Sequence, residues 1–311
     1  MALGFALLAH PIALGVAQEP PADAGFGEQI GVGFVLVPVV VRTSDGYSKS
    51  LKVTDFRLFV DDQPVAIESF ENRSDAPLST VFLQDLSGSM DGAKLAASRE
   101  VLRHFLEQAT PLDELAIATF ADGQTTVDVP FTSDLVTLEE AVTTWEAFGT
   151  TTLNDAVAWL PEISAGGSHS KRAAVLITDG AENASTLSPA DARDIVRRAQ
   201  VPVYVLGLGS GSPYEVGSDG AKLHRFADVL NLLALYTGGR YFPVSGPNEA
   251  KEAVVDIVDD LRHQYVLGFS TSASGKRAQR RIRVEVDERN VRVLSRQGYT
   301  GTPPLAPAGK N

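Results

Sequence analysis

The middle of the chain alternates between short apolar runs and longer stretches that carry an apolar stripe. The runs at 115–120, 173–178 and 203–207 are mostly apolar and bounded by turn residues, which is typical of strands buried on both faces. Between such runs, stretches such as 94–108 repeat apolar residues at helical spacing. The predicted helices of this part are 94–108, 135–148, 153–163, 189–199 and 223–236. The alternation predicts an α/β fold with a doubly wound, mostly parallel sheet.

The two ends of the chain show a different pattern. The runs 33–42, 56–60 and 65–70 are joined by tight turns, and 281–286 and 291–294 alternate strictly between polar and apolar residues. Strands connected in this way favour antiparallel pairing. We therefore expect the N-terminal and C-terminal strands to pair with each other and form a smaller β-rich module beside the α/β domain.

These patterns divide the chain into six segments. They are a signal peptide (1–17), a linker (18–29), an N-terminal β segment (30–76), the α/β domain (77–246), a helix with C-terminal strands (247–300) and a flexible tail (301–311). The first of these is almost entirely small or apolar and too short for a comfortable membrane span, which favours a secretory signal over an anchor or an unstructured leader. No transmembrane span is expected elsewhere.

Oxygen-bearing side chains follow one of the predicted strands. Asp85, Ser87 and Ser89 lie two residues apart, directly after the apolar run 79–83. Open α/β sheets place their ligand sites at the carboxyl ends of strands. One carboxylate and two hydroxyls suit a hard cation such as Mg²⁺. Taken alone, the same residues are equally suited to capping the helix that follows.

Two later segments complete a recognisable motif. Residues 149–156 (GTTTLNDA) form a loop-to-helix junction with threonine hydroxyls, and the apolar run 174–178 ends at Asp179 and a glycine. The three parts, in this order, resemble the von Willebrand factor type A domain with its metal-ion-dependent adhesion site. The chain departs from the family pattern at Thr150, where a second glycine is usual. Thr151 is the better ligand, and Thr150 competes with it.

The resemblance implies a divalent cation, Mg²⁺ or else Mn²⁺ or Ca²⁺, held by five residues. They are Asp85, Ser87, Ser89, Thr151 and Asp179. In that family the hydroxyls bind directly and at least one aspartate acts through water. Neutral hydroxyls leave the cation electrophilic, so its vacant position favours an anionic ligand. The partner implied is a protein that presents an Asp or Glu carboxylate.

Four further residues are candidates for supporting or contacting roles. Thr152 and Asp155 would support the ligands from behind, although Asp155 is equally well explained as an acid in the first turn of a helix. The loop 210–222 follows a predicted strand end and should rim the metal, with Tyr214 and Glu215 as contact residues. The alternative is a surface excursion without a role.

The regions outside the α/β domain carry a second resemblance. The stretch 55–71, together with the C-terminal pattern YVLGFS, IRVEV and VRVLSRQGY, resembles a bacterial von Willebrand-related family first described from acidobacteria. This resemblance implies a bacterial protein that is secreted or held in the periplasm or cell envelope.

Composition excludes several classes of function. The chain has 27 basic and 39 acidic residues, a net charge of −12 and a pI near 4.9, which disfavours nucleic acid as a partner. It has no cysteine, so disulfides and thiolate metal sites are excluded. It has neither the G-x-S-x-G elbow nor the Walker A loop.

The sequence therefore predicts a non-enzymatic protein that adheres to or scaffolds a partner through a metal ion. One alternative is a structural envelope protein whose metal only stabilises the fold. Another is a metal-dependent hydrolase that uses Asp85 and Asp179, but the chain shows no second carboxylate cluster or paired histidines for that chemistry. The sequence does not set the oligomeric state.

Overall fold

The structure is a computed structural model that describes residues 32–215, 225–272 and 278–301. The strands are β1 (Val32–Thr43), β2 (Gly46–Tyr47), β3 (Phe56–Val60), β4 (Gln63–Val65), β5 (Ser69–Glu71), β6 (Leu78–Asp85), β7 (Glu114–Ala121), β8 (Gln124–Thr132), β9 (Lys171–Thr178), β10 (Val203–Leu208), β11 (Tyr241–Val244), β12 (Tyr265–Ser272), β13 (Ala278–Val286), β14 (Arg292–Ser295) and β15 (Gly298–Gly301). The helices are α1 (Ala93–Gln108), α2 (Leu135–Thr143), α3 (Leu153–Val157), α4 (Leu160–Ala165), α5 (Pro189–Val196), α6 (Arg225–Thr237) and α7 (Pro247–Arg262).

A central sheet with strand order β11-β10-β9-β6-β7-β8 forms the core of the α/β domain. All of its pairings are parallel except that of β8, which lies antiparallel at one edge. One face packs against α1, α2 and α7, and the other against α3, α4, α5 and α6. Every residue of β6 is buried because helices cover both faces. The predicted doubly wound sheet is confirmed.

The two ends of the chain combine into one β-rich module. β1 pairs antiparallel with β12 and β14, and β13 pairs antiparallel with β3. The resulting sheets, β14-β1-β12-β5 and β15-β13-β3-β4, share one apolar core. The pairing expected between N-terminal and C-terminal strands is therefore confirmed, whereas the exact domain boundaries stay predictions.

A buried ionic cluster ties the module to the α/β domain. Asp260 of α7 is fully buried and accepts hydrogen bonds from Arg42 (2.9 Å), from the Tyr47 hydroxyl (2.8 Å) and from Arg240 (3.2 Å). The ring of His263 stacks on that of Tyr47, with centroids 4.4 Å apart. Because α7 leads directly into β12, this cluster holds the helix and the module together at their junction.

Several predicted element boundaries were wrong for local reasons. The helix expected at 153–163 is split into α3 and α4, since Pro161 lacks an N–H and its ring clashes with the carbonyl four residues earlier. The helix expected at 135–148 ends at Thr143, where the hydroxyls of Thr143 and Thr144 bond back to helix carbonyls. The strand expected at 65–70 is interrupted between β4 and β5, and β15 was not predicted.

The expected signal peptide (1–17) and linker (18–29), and the tail beyond residue 301, lie outside the described residues. Across the ranges that the structure describes, no helix has both the length and the apolar character needed to cross a membrane.

Candidate functional site

Two neighbouring parallel strands deliver the two candidate aspartates to the same edge of the central sheet. Asp85 is the last residue of β6, and Asp179 directly follows β9. The strands pair in register, with Gln84 opposite Ile177. The carboxyl ends of both strands therefore lie side by side, as ligand sites of open α/β sheets require.

Asp85 is a fully buried carboxylate held by two hydrogen bonds. Its Oδ1 accepts from the backbone N–H of Ser87 at 2.9 Å, and its Oδ2 accepts from the hydroxyl of Thr178 at 2.6 Å. Burial raises the pKa of this carboxyl, the hydrogen bonds from Ser87 and Thr178 act in the opposite direction, and the nearby charge of Asp179 adds to the rise. A cation close to Asp85 would compensate for the cost of burying its charge.

The two serines are brought together by a tight turn after β6. The hydroxyl oxygens of Ser87 and Ser89 lie 3.2 Å apart, and the turn is closed by the Met90 N–H, which donates to the Ser87 carbonyl at 2.9 Å. Met90 is fully buried and anchors the turn to the core, while Ser87 is buried and Ser89 is exposed. Two hydroxyls thus lie close together beside the Asp85 carboxylate. The Ser89 side of this group is exposed to solvent.

The threonine loop docks against this turn. The Gly88 N–H donates to the Gly149 carbonyl at 3.1 Å, and the Phe148 N–H donates to the Leu86 carbonyl at 2.8 Å. A Cβ added to Gly88 would lie only 3.3 Å from the Gly149 oxygen, so the close approach favours glycine there. The backbone of residues 148–149 is therefore fixed against the serines.

Thr151 belongs to the buried part of the site. It is 1% exposed, its N–H donates to the Asn183 side-chain oxygen at 3.0 Å, and its carbonyl accepts from the Ala184 N–H at 3.1 Å. Both partners belong to the loop that follows Asp179. These bonds join the second and third parts of the motif.

Thr150 and Thr152 contact a neighbouring hairpin instead. The Thr150 hydroxyl donates to Asp122 Oδ1 at 3.2 Å, and the Thr152 hydroxyl accepts from the Gly123 N–H at 3.3 Å. Both glycine and aspartate of this hairpin have positive φ, as a tight turn between β7 and β8 requires. Thr150 is thus exposed and engaged with Asp122, whereas Thr151 is buried.

Three further predicted residues have contacts outside the motif itself. Asp155 accepts hydrogen bonds from the N–H groups of Thr186 and Leu187, both at 2.9 Å, so it anchors the loop after β9. Tyr214 is 73% exposed, and the Glu215 N–H donates to the Ser212 carbonyl. The loop that carries Tyr214 and Glu215 starts beside the site, but 216–222 of it lie outside the described residues.

The sequence analysis did not identify Lys94, a positively charged side chain that contacts two residues of the motif. The ammonium of Lys94, in the first turn of α1, lies 2.6 Å from Asp179 Oδ2 and 3.0 Å from the Ser89 carbonyl oxygen. The side chain of Asp179 is 5% exposed and that of Lys94 is 37% exposed. The signal available in the sequence was a lysine at the start of a helix, where the helix dipole disfavours positive charge.

Asp179 is also fixed through its backbone and its second oxygen. Its Oδ1 accepts from the Ala181 N–H at 3.0 Å, and its carbonyl accepts from the Ser210 hydroxyl at 2.6 Å. The loop after β10 therefore begins next to the site, as expected from its position at a strand end.

The chemistry of this donor set suits a hard cation. It consists of two carboxylates and up to three hydroxyls, all oxygen. Within the described ranges, no group of three or more His, Asp or Glu side chains comes together in a way that could hold a metal. A metal bound at this edge would therefore depend on the serine and threonine hydroxyls as well as on Asp85 and Asp179.

Comparison with known proteins identifies the central part of the chain. Residues 80–182 match the family model of the von Willebrand factor type A domain. The chain is 27% identical to the inter-alpha-trypsin inhibitor heavy chain H4 of Bos taurus over 46% of its own length, and spans 17% of that protein.

Solved structures with a similar fold include two bacterial proteins. A von Willebrand factor type A protein of Catenulispora acidiphila is 14% identical, with 88% of this chain and 74% of that one covered and a TM-score of 0.48. The von Willebrand domain of the type V pili tip protein Mfa5 of Porphyromonas gingivalis is 12% identical, with 59% and 94% covered and a TM-score of 0.45. The similarity to the von Willebrand factor type A domain thus applies to residues 80–182 of this chain.

Proposed function

We propose that the chain binds a divalent cation at the carboxyl edge of its central sheet and uses it to hold a carboxylate of a protein partner. The residues that would hold the cation are Asp85, Ser87, Ser89, Thr151 and Asp179. Mg²⁺ is the first choice, with Mn²⁺ and Ca²⁺ as alternatives. When bound, the cation would supply an electrophilic coordination position for an acidic side chain of the partner.

One observation carries this proposal above the others. The Ser87 and Ser89 hydroxyls converge 3.2 Å apart beside Asp85, a carboxylate that is fully buried and whose charge is costly without a nearby cation. The two hydroxyls are within hydrogen-bond distance of each other, and neither serine side chain caps a helix here. The arrangement is better explained by a shared ligand.

The contact between Lys94 and Asp179 supports a binding role over a purely structural one. The ammonium already balances the charge of Asp179 with groups of the protein itself. A metal that only stabilised the fold would add little at a carboxylate that is neutralised in this way. We therefore infer that the cation serves recognition of a partner rather than folding.

The finer assignments follow from the resemblances. We propose a non-enzymatic adhesion or scaffolding role for a bacterial protein of the acidobacterial-type family, located outside the cell or in the cell envelope. The location is the one expected from the apolar segment 2–17, and the acidic composition is unfavourable for nucleic acid. A metal-dependent hydrolase is a weaker candidate because the two carboxylates lie among neutral hydroxyls, without a second acidic cluster in the described residues.

The proposal is tested by calorimetric titration of Mg²⁺, Mn²⁺ and Ca²⁺ into the chelator-treated protein and two variants. Ser87→Ala removes one of the converging hydroxyls. Ser168→Ala is the matched control, because this exposed serine precedes β9 at the opposite edge of the same sheet, where it bonds to Glu114. We expect saturable one-to-one binding by the wild type and the control, and at least tenfold weaker binding by Ser87→Ala, the loss typical of a disturbed metal site, about 10 to 100-fold.

Absence of binding by the wild type with all three metals would overturn the metal site. The partner is tested next, by capture of envelope proteins on the immobilised chain with Mg²⁺ and their release with a chelator. A protein that stays bound to Ser87→Ala as well as to the wild type would not be a ligand of this site.

A further inference from the structure

The position of Lys94 is not explained by helix stability. Lys94 is the second residue of α1, which follows Gly92 without a side-chain cap. A lysine there faces the positive end of the helix dipole, which disfavours a positive charge at this position. The compensation comes from outside the helix, from the Asp179 carboxylate and the Ser89 carbonyl.

The Lys94 ammonium bridges two parts of the candidate metal site. Ser89 belongs to the turn after β6 and Asp179 to the end of β9, and both lie within hydrogen-bond distance of the same nitrogen. An ammonium is a compact point charge with three donors. It therefore uses oxygens of the same two residues on which a divalent cation would depend.

The Lys94 side chain also has room to move away from Asp179. Its side chain is 37% exposed, and its four-carbon stem is flexible. The Cε of Lys94 lies beside Gly209, in the loop after β10. A Cβ added to Gly209 would lie 3.6 Å from that Cε. Gly209 has φ +70°, so the position favours glycine and the space beside the stem stays open.

We propose that Lys94 is a built-in competitor for the divalent cation: its ammonium occupies Asp179 and must withdraw into solvent before that carboxylate can bind the metal. This inference rests on the proposed metal site and adds a regulation of it. Metal affinity is set below the value that the oxygen donors alone would give. Binding of the metal and release of Lys94 from Asp179 are therefore coupled.

The test compares Lys94→Met with Lys94→Arg and Arg103→Met. Methionine keeps the length of the side chain and removes its charge, whereas arginine keeps the charge. Arg103→Met is the matched control, since it removes one positive charge from the exposed face of the same helix, nine residues and about 13 Å along its axis. By calorimetry, we expect Mg²⁺ to bind roughly tenfold tighter to Lys94→Met than to wild type, from the loss of a like charge close to the ion. Arg103→Met and Lys94→Arg should stay within about threefold of wild type, because neither removes that charge.

A second measurement uses the wild type and does not depend on a variant that folds. The rate of modification of Lys94 by an amine-reactive reagent is followed by peptide mass spectrometry with and without Mg²⁺, and exposed Lys251 of α7 is the internal reference. We expect the metal to accelerate modification of Lys94 several-fold and to leave Lys251 unchanged.

The outcomes separate this inference from the proposed function. Equal Mg²⁺ affinity of the wild type and Lys94→Met, with modification of Lys94 unaffected by the metal, would overturn the competitor while leaving the metal site in place. If Lys94→Met bound Mg²⁺ more weakly than the wild type, Lys94 would stabilise the metal site, and the inference would also be overturned. If neither protein binds any divalent cation, both proposals fall.

Discussion

The hydroxyl of Thr178, the last residue of β9, donates a hydrogen bond of 2.6 Å to Asp85 Oδ2, the last residue of the adjacent strand β6. The same hydroxyl accepts from the Gly180 N–H at 2.9 Å. One buried side chain thus fixes the direction of the Asp85 carboxylate and the turn that carries Asp179. The two halves of the candidate site are coupled through Thr178.

Replacing Thr178 by valine should destabilise the fold and loosen the site. The change keeps the shape but leaves the buried Asp85 oxygen and the Gly180 N–H without their partner, which costs about 1–3 kcal/mol. Urea unfolding measures the loss. Thr126→Val, on the exposed edge strand β8, is the control and should change the free energy of unfolding by less than about 0.5 kcal/mol. Equal effects of the two changes would mean that the Thr178 bond contributes nothing specific.

The choice between Thr150 and Thr151 can be decided by metal affinity. Thr151→Val should weaken Mg²⁺ binding by about 10 to 100-fold, as expected when a metal site is disturbed. Thr150→Val should change it by less than about threefold, because the Thr150 hydroxyl bonds to Asp122. Calorimetric titration of both variants gives the answer, and the reverse order of effects would assign the ligand to Thr150.

Removing the metal should leave the protein folded. At a Mg²⁺ concentration one hundred times its Kd, linkage stabilises the native state by about 2.7 kcal/mol, and a chelator should remove that amount and no more. The Lys94–Asp179 pair holds the site together without metal. Thermal unfolding with Mg²⁺ and with chelator measures the difference. Loss of the cooperative transition in chelator would instead support a metal that stabilises the fold.

The ion pair of Asp113 and Arg262 should make stability depend on acid pH. Burial acts to raise the pKa of Asp113, but hydrogen bonds from Arg262 and from the N–H groups of Thr110 and Leu78 outweigh it and lower the pKa. A lowered pKa in the folded state means that the stabilisation is fully present above the unfolded value, near 4, and is lost as pH falls through the folded value.

Asp113→Asn measures this contribution. At pH 7 it should cost about 3 kcal/mol, because Arg262 is left without its buried partner. The difference from the wild type should shrink as the pH is lowered from 5 towards 2, because Asp113 of the wild type becomes protonated while the variant has no carboxylate there to lose. A difference that stays constant over that range in denaturant titrations would show that the charge of Asp113 is not the cause.

The buried cluster around Asp260 should be the main polar link between the β module and the α/β domain. Asp260→Asn leaves Arg42 without its carboxylate and Arg240 with Asp256 alone, and it should cost about 3–5 kcal/mol. Asp259→Asn is the matched control, since Asp259 is the preceding residue of α7 and is exposed. Its effect should stay within about 0.5 kcal/mol in the same urea unfolding assay. Similar losses for both would contradict the link.

The fold class and the order of the motif could be predicted because both depend on local periodicity. Buried parallel strands appear in the sequence as unbroken apolar runs, and their carboxyl ends share one edge of the sheet, so Asp85 and Asp179 were expected at the same edge. The adjacency of β6 and β9 is set by the strand order of the sheet. The same reasoning predicted the antiparallel module, because half-exposed strands alternate with period two. Helix ends were harder, since Pro161 broke a pattern that apolar spacing alone would have continued.

The contacts that distinguish this site from a generic one depend on groups far apart in the chain. Lys94 and Asp179 are 85 residues apart, and nothing in either local pattern predicts their ion pair. Thr150 and Thr151 have the same chemistry but different surroundings: Thr150 is exposed and bonds to Asp122, whereas Thr151 is buried and bonds to Asn183. Such pairings are set by how loops pack at the sheet edge, where a shift of one residue turns a side chain from the site towards solvent. Periodicity therefore predicted the strands, the helices and the edge of the sheet where the site lies. Packing between segments that are distant in the chain determined which side chains come together there.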